Sequence, residues 1–184
     1  MHLIHPCADY RDEFCQALWE IHHSGMGLRE SLQWDAAALA ADFAVWVEQI
    51  RRLETADGLA PSAVPCTEFW LVDGHRYYGR IKIRHHLNPA LRQFGGHIGY
   101  EIRPSEQGQG RGKTLLALGL QQAASLGLAQ VLISCDEDNH ASRAIIEANG
   151  GLCEGRFELA GHPKPILRYW LATAGPTDSV ATHT

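Results

Sequence analysis

At 184 residues and 45% hydrophobic content, the chain is long enough for one substantial core and short for two. A formal charge of −5 supplies no broad basic field for nucleic acid, and no run of about eighteen apolar residues suits a bilayer span, so neither nucleic acid nor membrane is expected as a partner. Cys7, Cys15, Cys66, Cys135 and Cys153 include no Cys-x-x-Cys pair and leave one over if the rest paired, which argues against a disulfide framework or zinc knuckle and for a reducing cytoplasm.

Met1 to Pro6 lacks the charged region and apolar core of a secretory signal. Leu3 and Ile4 open a first strand, and Tyr10 to His23 sets Phe14, Leu18 and Ile21 on one helical face. After a connector at Gly25 to Leu28, a second helix is predicted over Trp34 to Leu53. Its stripe is Leu39, Phe43, Trp46, Val47 and Ile50, with Asp35 near the start and Arg51 and Arg52 near the end, as the helix dipole favours. A loop over Asp57 to Pro65 precedes a strand at Thr67 to Val72, a hairpin at Asp73-Gly74 and a return strand at Tyr78 to His85. Asn88-Pro89 and Gly95-Gly96 then lead to a strand over Gly99 to Ile102 that stops at Pro104, completing an antiparallel meander.

Gln107-Gly108-Gln109-Gly110-Arg111-Gly112-Lys113-Thr114 runs straight into the leucine-rich helix Leu115 to Leu128. Glycine lets backbone approach a ligand, and a helix start offers unpaired N–H groups and a positive dipole end, so the pair suits an anion such as phosphate. Gln130 to Cys135 follows as an apolar strand, then a helix over Ala141 to Asn149 closed by Gly150-Gly151, then strands at Leu152 to Leu159 and Ile166 to Ala172. The expected architecture is an α/β domain over 1–172. Its sheet is mixed, mainly antiparallel and twisted, with one parallel strand-helix-strand crossover and flanking helices, and 173–184 form a flexible tail. A nucleotide-binding P-loop would need a glycine five positions before Gly112, where Gln107 stands.

With this strand, loop, helix and second strand in order, Gln107, Gly110 and Gly112 fill the Gln-x-x-Gly-x-Gly pattern, and the stretch Gly95 to Gly151 resembles the GNAT acetyltransferase superfamily. The resemblance implies acetyl-CoA as acyl donor and a primary amine as acceptor. On it, Gln107, Gly108, Gln109, Gly110, Arg111, Gly112, Lys113 and Thr114 hold the cofactor's diphosphate, Arg103, Arg111 and Lys113 add local positive charge, and Asn139 with Ser142 borders the pantetheine arm. Backbone N–H groups at Ile102 and Arg103 would meet the developing oxyanion. Asn139 and Ser142 equally suit a helix start. Glu101, on the strand feeding the loop, is the candidate general base, with a structural ion pair as the equal alternative. The family's tyrosine, seven residues after the asparagine, is replaced by Ile146, which cannot protonate a leaving thiolate, so an acyl-CoA-binding sensor with little turnover stays open. No metal is expected, since the pairs His22-His23 and His85-His86 point apart on regular elements and His97 and His140 fit hydrogen-bonded or surface roles. The five tryptophans read as core or groove wall. Nothing in the sequence fixes the oligomeric state, homodimer included.

Overall fold

The computed structural model describes residues 1–60 and 62–173. Strands β1 (His2–Ile4), β2 (Cys66–Asp73), β3 (Arg76–Arg84) and β4 (Ile98–Ile102) form one antiparallel sheet in that order. β5 (Gln130–Asp136), β6 (Leu152–Phe157) and β7 (Ile166–Ala172) form a second, in the order β5-β7-β6. The strand predictions hold to within a residue or two. The mixed sheet is thus realised as two antiparallel halves, with helix α5 (Arg111–Ser125) carrying the chain from β4 to β5.

Main-chain pairing joins the halves only just before β4, where Gly95 N–H also donates to Ser134 Oγ at 2.8 Å. His97 N–H donates to Leu132 O at 2.7 Å, and Leu132 N–H donates to His97 Nδ1 at 2.9 Å. Gly96 makes this approach possible: its φ is 63°, and a Cβ there would overlap Leu132 O. Beyond that contact, no backbone hydrogen bond joins β4 to β5 among the described residues, so the strands part toward Ile102 and leave a gap with unpaired edges.

Alternation along the strands divides the core. Phe69, Leu71, Ile81, Ile83, Ile98 and Ile102 point to one side, called the back, and pack with Leu115, Leu116 and Leu120 of α5 and Ile146 of α6 (His140–Ala148). Trp70, Val72 and Tyr77 point to the front, against Phe14 and Leu18 of α1 (Arg11–Ser24), Leu39 of α2 (Ala36–Ala41), and Phe43 and Val47 of α3 (Phe43–Arg52). Phe14 sits at the centre of this aromatic set, its ring 4.9 Å from Trp70 and 4.8 Å from Trp46.

Three details depart from expectation. The helix expected over Trp34 to Leu53 is broken at Asp42 (φ −119°, ψ 40°), a poor helix former, while Asp35 caps α2 through Ala37 and Ala38 N–H. A short helix, α4 (Pro89–Gln93), forms where only turn residues were visible, started by Asn88 accepting from Leu91 N–H and by a proline suited to the first turn. Trp19 is neither core nor groove wall but exposed, its ring tilted against that of His23 with centroids 3.9 Å apart. In the segment expected as a tail, Thr173 N–H is bonded to Ala129 O, and 174–184 lie outside the described residues. No helix among the described residues is long and apolar enough to cross a membrane.

Candidate active site

From β4 the chain turns through Arg103 and a short 3-10 turn, Pro104–Glu106, into the glycine loop. Gly108 (φ 74°) and Gly110 (φ 79°) adopt the left-handed conformation with nothing within 4 Å of a would-be Cβ, so it is backbone twist rather than crowding that calls for glycine. Gly110 is the N-cap of α5 and supplies no side-chain cap. Lys113 and Thr114 N–H close the first helical bonds onto Gly110 O at 3.0 and 3.3 Å. The preceding N–H groups, those of Gly108, Gln109, Gly110, Arg111 and Gly112, have no hydrogen-bond partner among the described residues. Consecutive unpaired donors at the positive end of a 15-residue helix fit a diphosphate. Gly112 itself faces inward, where a Cβ would lie 2.5 Å from Ile145 Cδ1 of α6.

The positive patch expected from Arg103, Arg111 and Lys113 is corrected by the geometry. Arg103 is fully buried and ion-paired to Glu13 (3.0 Å) and Glu20 (2.5 Å) of α1, clamping the strand-to-loop corner. Arg111 pairs with Glu106 at 2.7 Å and lies 4.7 Å over the Tyr78 ring, and Glu106 also holds Arg76. Of the three, only Lys113 is exposed and forms no ion pair among the described residues. The loop is therefore braced by side chains and faces outward with backbone.

Gln107 belongs to the brace: its Nε2 donates to Ile102 O at 3.0 Å, replacing the strand neighbour that β4 lacks on its open edge. Arg103 N–H donates to Tyr78 O at 2.9 Å and is spent, so it drops out as an oxyanion donor. Successive residues of an antiparallel strand turn their N–H to opposite edges, so Ile102, opposite Gly79, directs its N–H into the gap. A register shift between Leu71 and Val72 leaves Tyr78 as an extra residue on β3, which sets its carbonyl under Arg103 and its ring under Arg111.

Glu101 points to the front and is buried. Its Oε1 accepts from Ser31 Oγ (2.6 Å) and Arg80 Nε (2.5 Å), and its Oε2 from Leu28 N–H (2.7 Å). Arg80, fully buried beneath the Trp34 ring, also pairs with Glu68 and Glu30, each at 2.8 Å. Burial alone would raise the Glu30 carboxyl, but the Arg80 and Lys82 charges outweigh it and hold the group down at about 2. Of the two roles weighed from sequence for Glu101, the ion pair matches this arrangement. The carboxylate also fastens the connector after α1 onto β4: Gly27 and Leu28 lie against it, and Leu28 covers Gly99.

Behind the gap, the exposed Asn139 caps α6, its Oδ1 accepting from Ser142 N–H at 3.0 Å, and the cap does not use its amide NH₂. Ser142 Oγ shares a 2.9 Å hydrogen bond with Tyr100 OH. Burial raises the Tyr100 phenol well above its ordinary value despite that bond, so the group keeps its proton. Ile146 is wholly buried in the core and does not reach the gap. Sequence reasoning missed Tyr100 and Arg80; the one available signal was that Tyr100 and Glu101 must face opposite sides of the same strand. No cluster of metal-ligating side chains occurs among the described residues.

Residues 15–151 match the family model described as "Acetyltransferase (GNAT) domain". No curated protein matches the chain. Among solved structures, it is similar to RimL, a ribosomal-protein α-N-acetyltransferase in complex with coenzyme A, at 16% identity over 94% of each chain with a TM-score of 0.64. The self-immunity acetyltransferase MccE, in complex with acetyl-CoA and AMP, is 16% identical over 92% of this chain and 91% of its own, with a TM-score of 0.65. A mutant of the Vibrio cholerae spermidine N-acetyltransferase SpeG is 14% identical over 94% and 95%, with a TM-score of 0.61. At such identities the likeness establishes the fold.

Proposed function

We propose, from the premise that the chain belongs to the GNAT acetyltransferase family, that it is an N-acetyltransferase moving the acetyl group of acetyl-CoA onto a primary amine. The observation that carries this reading is the row of unpaired N–H groups from Gly108 to Gly112 at the head of α5, beside a strand gap into which Ile102 N–H points. The row binds the diphosphate, with Lys113 adding charge. The gap takes the pantetheine arm past the Asn139 amide, and Ile102 N–H receives the thioester oxygen.

The amine attacks the thioester carbon, the carbonyl electron pair moves onto oxygen beside Ile102 N–H, and collapse of the adduct forms the amide and expels the CoA thiolate. An amine with an ordinary pKa near 10.4 must first lose a proton. Glu101 has both oxygens occupied, so we assign it a positioning role: it holds Leu28 and Ser31, and with them the acceptor wall, against β4. The amine's proton leaves through water. A thiol titrates near 8.5, so the thiolate departs readily; Tyr100, its proton retained and its hydroxyl beside Ser142, donates a hydrogen bond to the departing sulfur, which takes its proton from water, where the tyrosine that Ile146 replaces would supply one.

Calorimetry with acetyl-CoA, followed by CoA release over a panel of peptide, polyamine and amino-acid amines, tests the proposal. Binding together with amine-dependent release supports it. Binding without release for any amine points to a sensor, and no binding removes the reading altogether.

A further inference from the structure

On the β4 side of the gap the carboxylates are occupied: Glu101 has donors on both oxygens, and Glu30 is paired to Arg80 and Lys82. The β5 side differs. Val131, Ile133 and Cys135 pack into the back core, so Ser134 and Asp136 face the front, and Asp136 ends the strand away from the His97–Leu132 contact. Asp136 Oδ1 lies 2.8 Å from Nε2 of His162, whose other ring nitrogen, Nδ1, has no hydrogen-bond partner among the described residues. The segment between β6 and β7 is shaped to present this ring. Gly161 turns the chain with a φ of 80°, His162 N–H donates to Leu159 O at 3.1 Å, and Pro165 O accepts from Glu137 N–H at 2.9 Å, returning the chain to the end of β5. Phe94 packs on the imidazole with centroids 4.6 Å apart, and its neighbour Gly95 is tied to Ser134 Oγ on the front of β5. The charges next along are already matched: Lys164 pairs with Asp138 at 2.7 Å, and Glu137 with Arg156 at 3.1 Å. His97, the other histidine beside the sheet, has its Nδ1 occupied by Leu132 N–H.

We propose that His162, oriented by Asp136, takes up the proton that the acceptor amine gives to water. A carboxylate only accepts, so the imidazole carries its hydrogen on Nε2 and presents the Nδ1 lone pair. A base held in one tautomer by a third group is the arrangement that proton abstraction needs. The placement agrees: Asp136 O accepts from Asn139 N–H at 3.0 Å, so the pair stands beside the turn that borders the pantetheine arm, on the front face that Glu101 and Leu28 share. The ammonium gives one proton to an intervening water, that water gives one to Nδ1, and the neutral amine attacks the thioester. Asp136 offsets the imidazolium charge until the ring returns its proton to solvent. The second proton, shed by nitrogen as the adduct collapses, goes to solvent, from which the thiolate is protonated.

This inference rests on the acetyl-transfer reading, and the experiment separates the two. CoA release is followed between about pH 5.5 and 9 with acetyl-CoA and the fastest amine of the panel. Wild-type kcat/KM should rise from the acid side and level off once the imidazole is neutral. His162→Gln should lower it about 100-fold at neutral pH and lose the plateau, climbing about tenfold per pH unit until the amine itself titrates, with acetyl-CoA affinity unchanged by calorimetry. Free imidazole in the buffer should restore part of the activity of His162→Ala. Asp136→Asn should move the acid limb to lower pH, because the imidazolium loses its counter-charge. Lys164→Gln, which frees the same segment from Asp138, should keep the shape of the profile. Circular dichroism shows whether each variant folds, and Asp136→Asn decides the matter if the His162 variants do not. A plateau that survives in His162→Gln, an acid limb unmoved in Asp136→Asn, or a profile changed equally by Lys164→Gln overturns the assignment of His162 and leaves acetyl transfer standing. No CoA release by the wild type with any amine removes both.

Discussion

Replacing Glu101 by Gln separates a positioning carboxylate from a catalytic base. Gln keeps the shape but offers one accepting oxygen where three donors, Leu28 N–H, Ser31 Oγ and Arg80 Nε, now converge. Breaking one arm of a buried ion-pair network costs about 3–5 kcal/mol, and the low end applies because Arg80 retains Glu30 and Glu68. At roughly 2–4 °C per kcal/mol for a chain of this size, about 3 kcal/mol lowers the thermal midpoint by roughly 6–12 °C. Loss of the tether to Leu28 should raise the acceptor KM about tenfold, the worth of one charge-assisted hydrogen bond, without altering the shape of the kcat pH profile. Glu68→Gln is the control: Glu68 binds Arg80 and Trp70 Nε1 but makes no bond to the 25–31 segment, so the midpoint should fall comparably while acceptor KM stays within about twofold. The reasoning is refuted if Glu101→Gln lowers kcat by the 10²–10⁴-fold typical of a lost general base with midpoint and KM nearly intact, or if Glu68→Gln raises KM equally.

Tyr100→Phe, which removes only the hydroxyl bonded to Ser142, should cut kcat about 10- to 100-fold with acetyl-CoA affinity unchanged, measured by steady-state kinetics beside calorimetry. Gln107→Ala leaves Ile102 O without its side-chain partner at the cradle's entrance and should weaken acetyl-CoA binding about 5- to 10-fold, read by calorimetry. His97 supplies a pH dependence. Its folded value of about 4 lies below the ordinary 6.5, so between those values the unfolded chain takes up a proton that the fold refuses. Its contribution is therefore complete above pH 6.5 and lost as pH falls toward 4, about 3 kcal/mol in all; denaturant midpoints across that window should show the slope, and His97→Gln should flatten it.

By itself the sequence determined what depends on near neighbours. Alternating apolar residues marked the strands, Asp73-Gly74 the hairpin, and three glycines at spacing two the turn that leaves backbone donors free at the start of α5, because strand pairing, turn twist and helix entry are set within a few residues along the chain. Tertiary structure decided which polar groups were already taken. Glu101 reads as a free acid until Arg80, 21 residues away, and Ser31, 70 residues away, are seen on its carboxylate. Arg103 and Arg111 read as phosphate ligands until Glu13, Glu20 and Glu106 are seen to neutralise them. The extra residue at Tyr78 was equally hidden, since it is a matter of register against β2. Charges and hydrogen bonds act through space with no periodicity along the chain, so whether a side chain is available for chemistry emerges only when the strands and helices have come together.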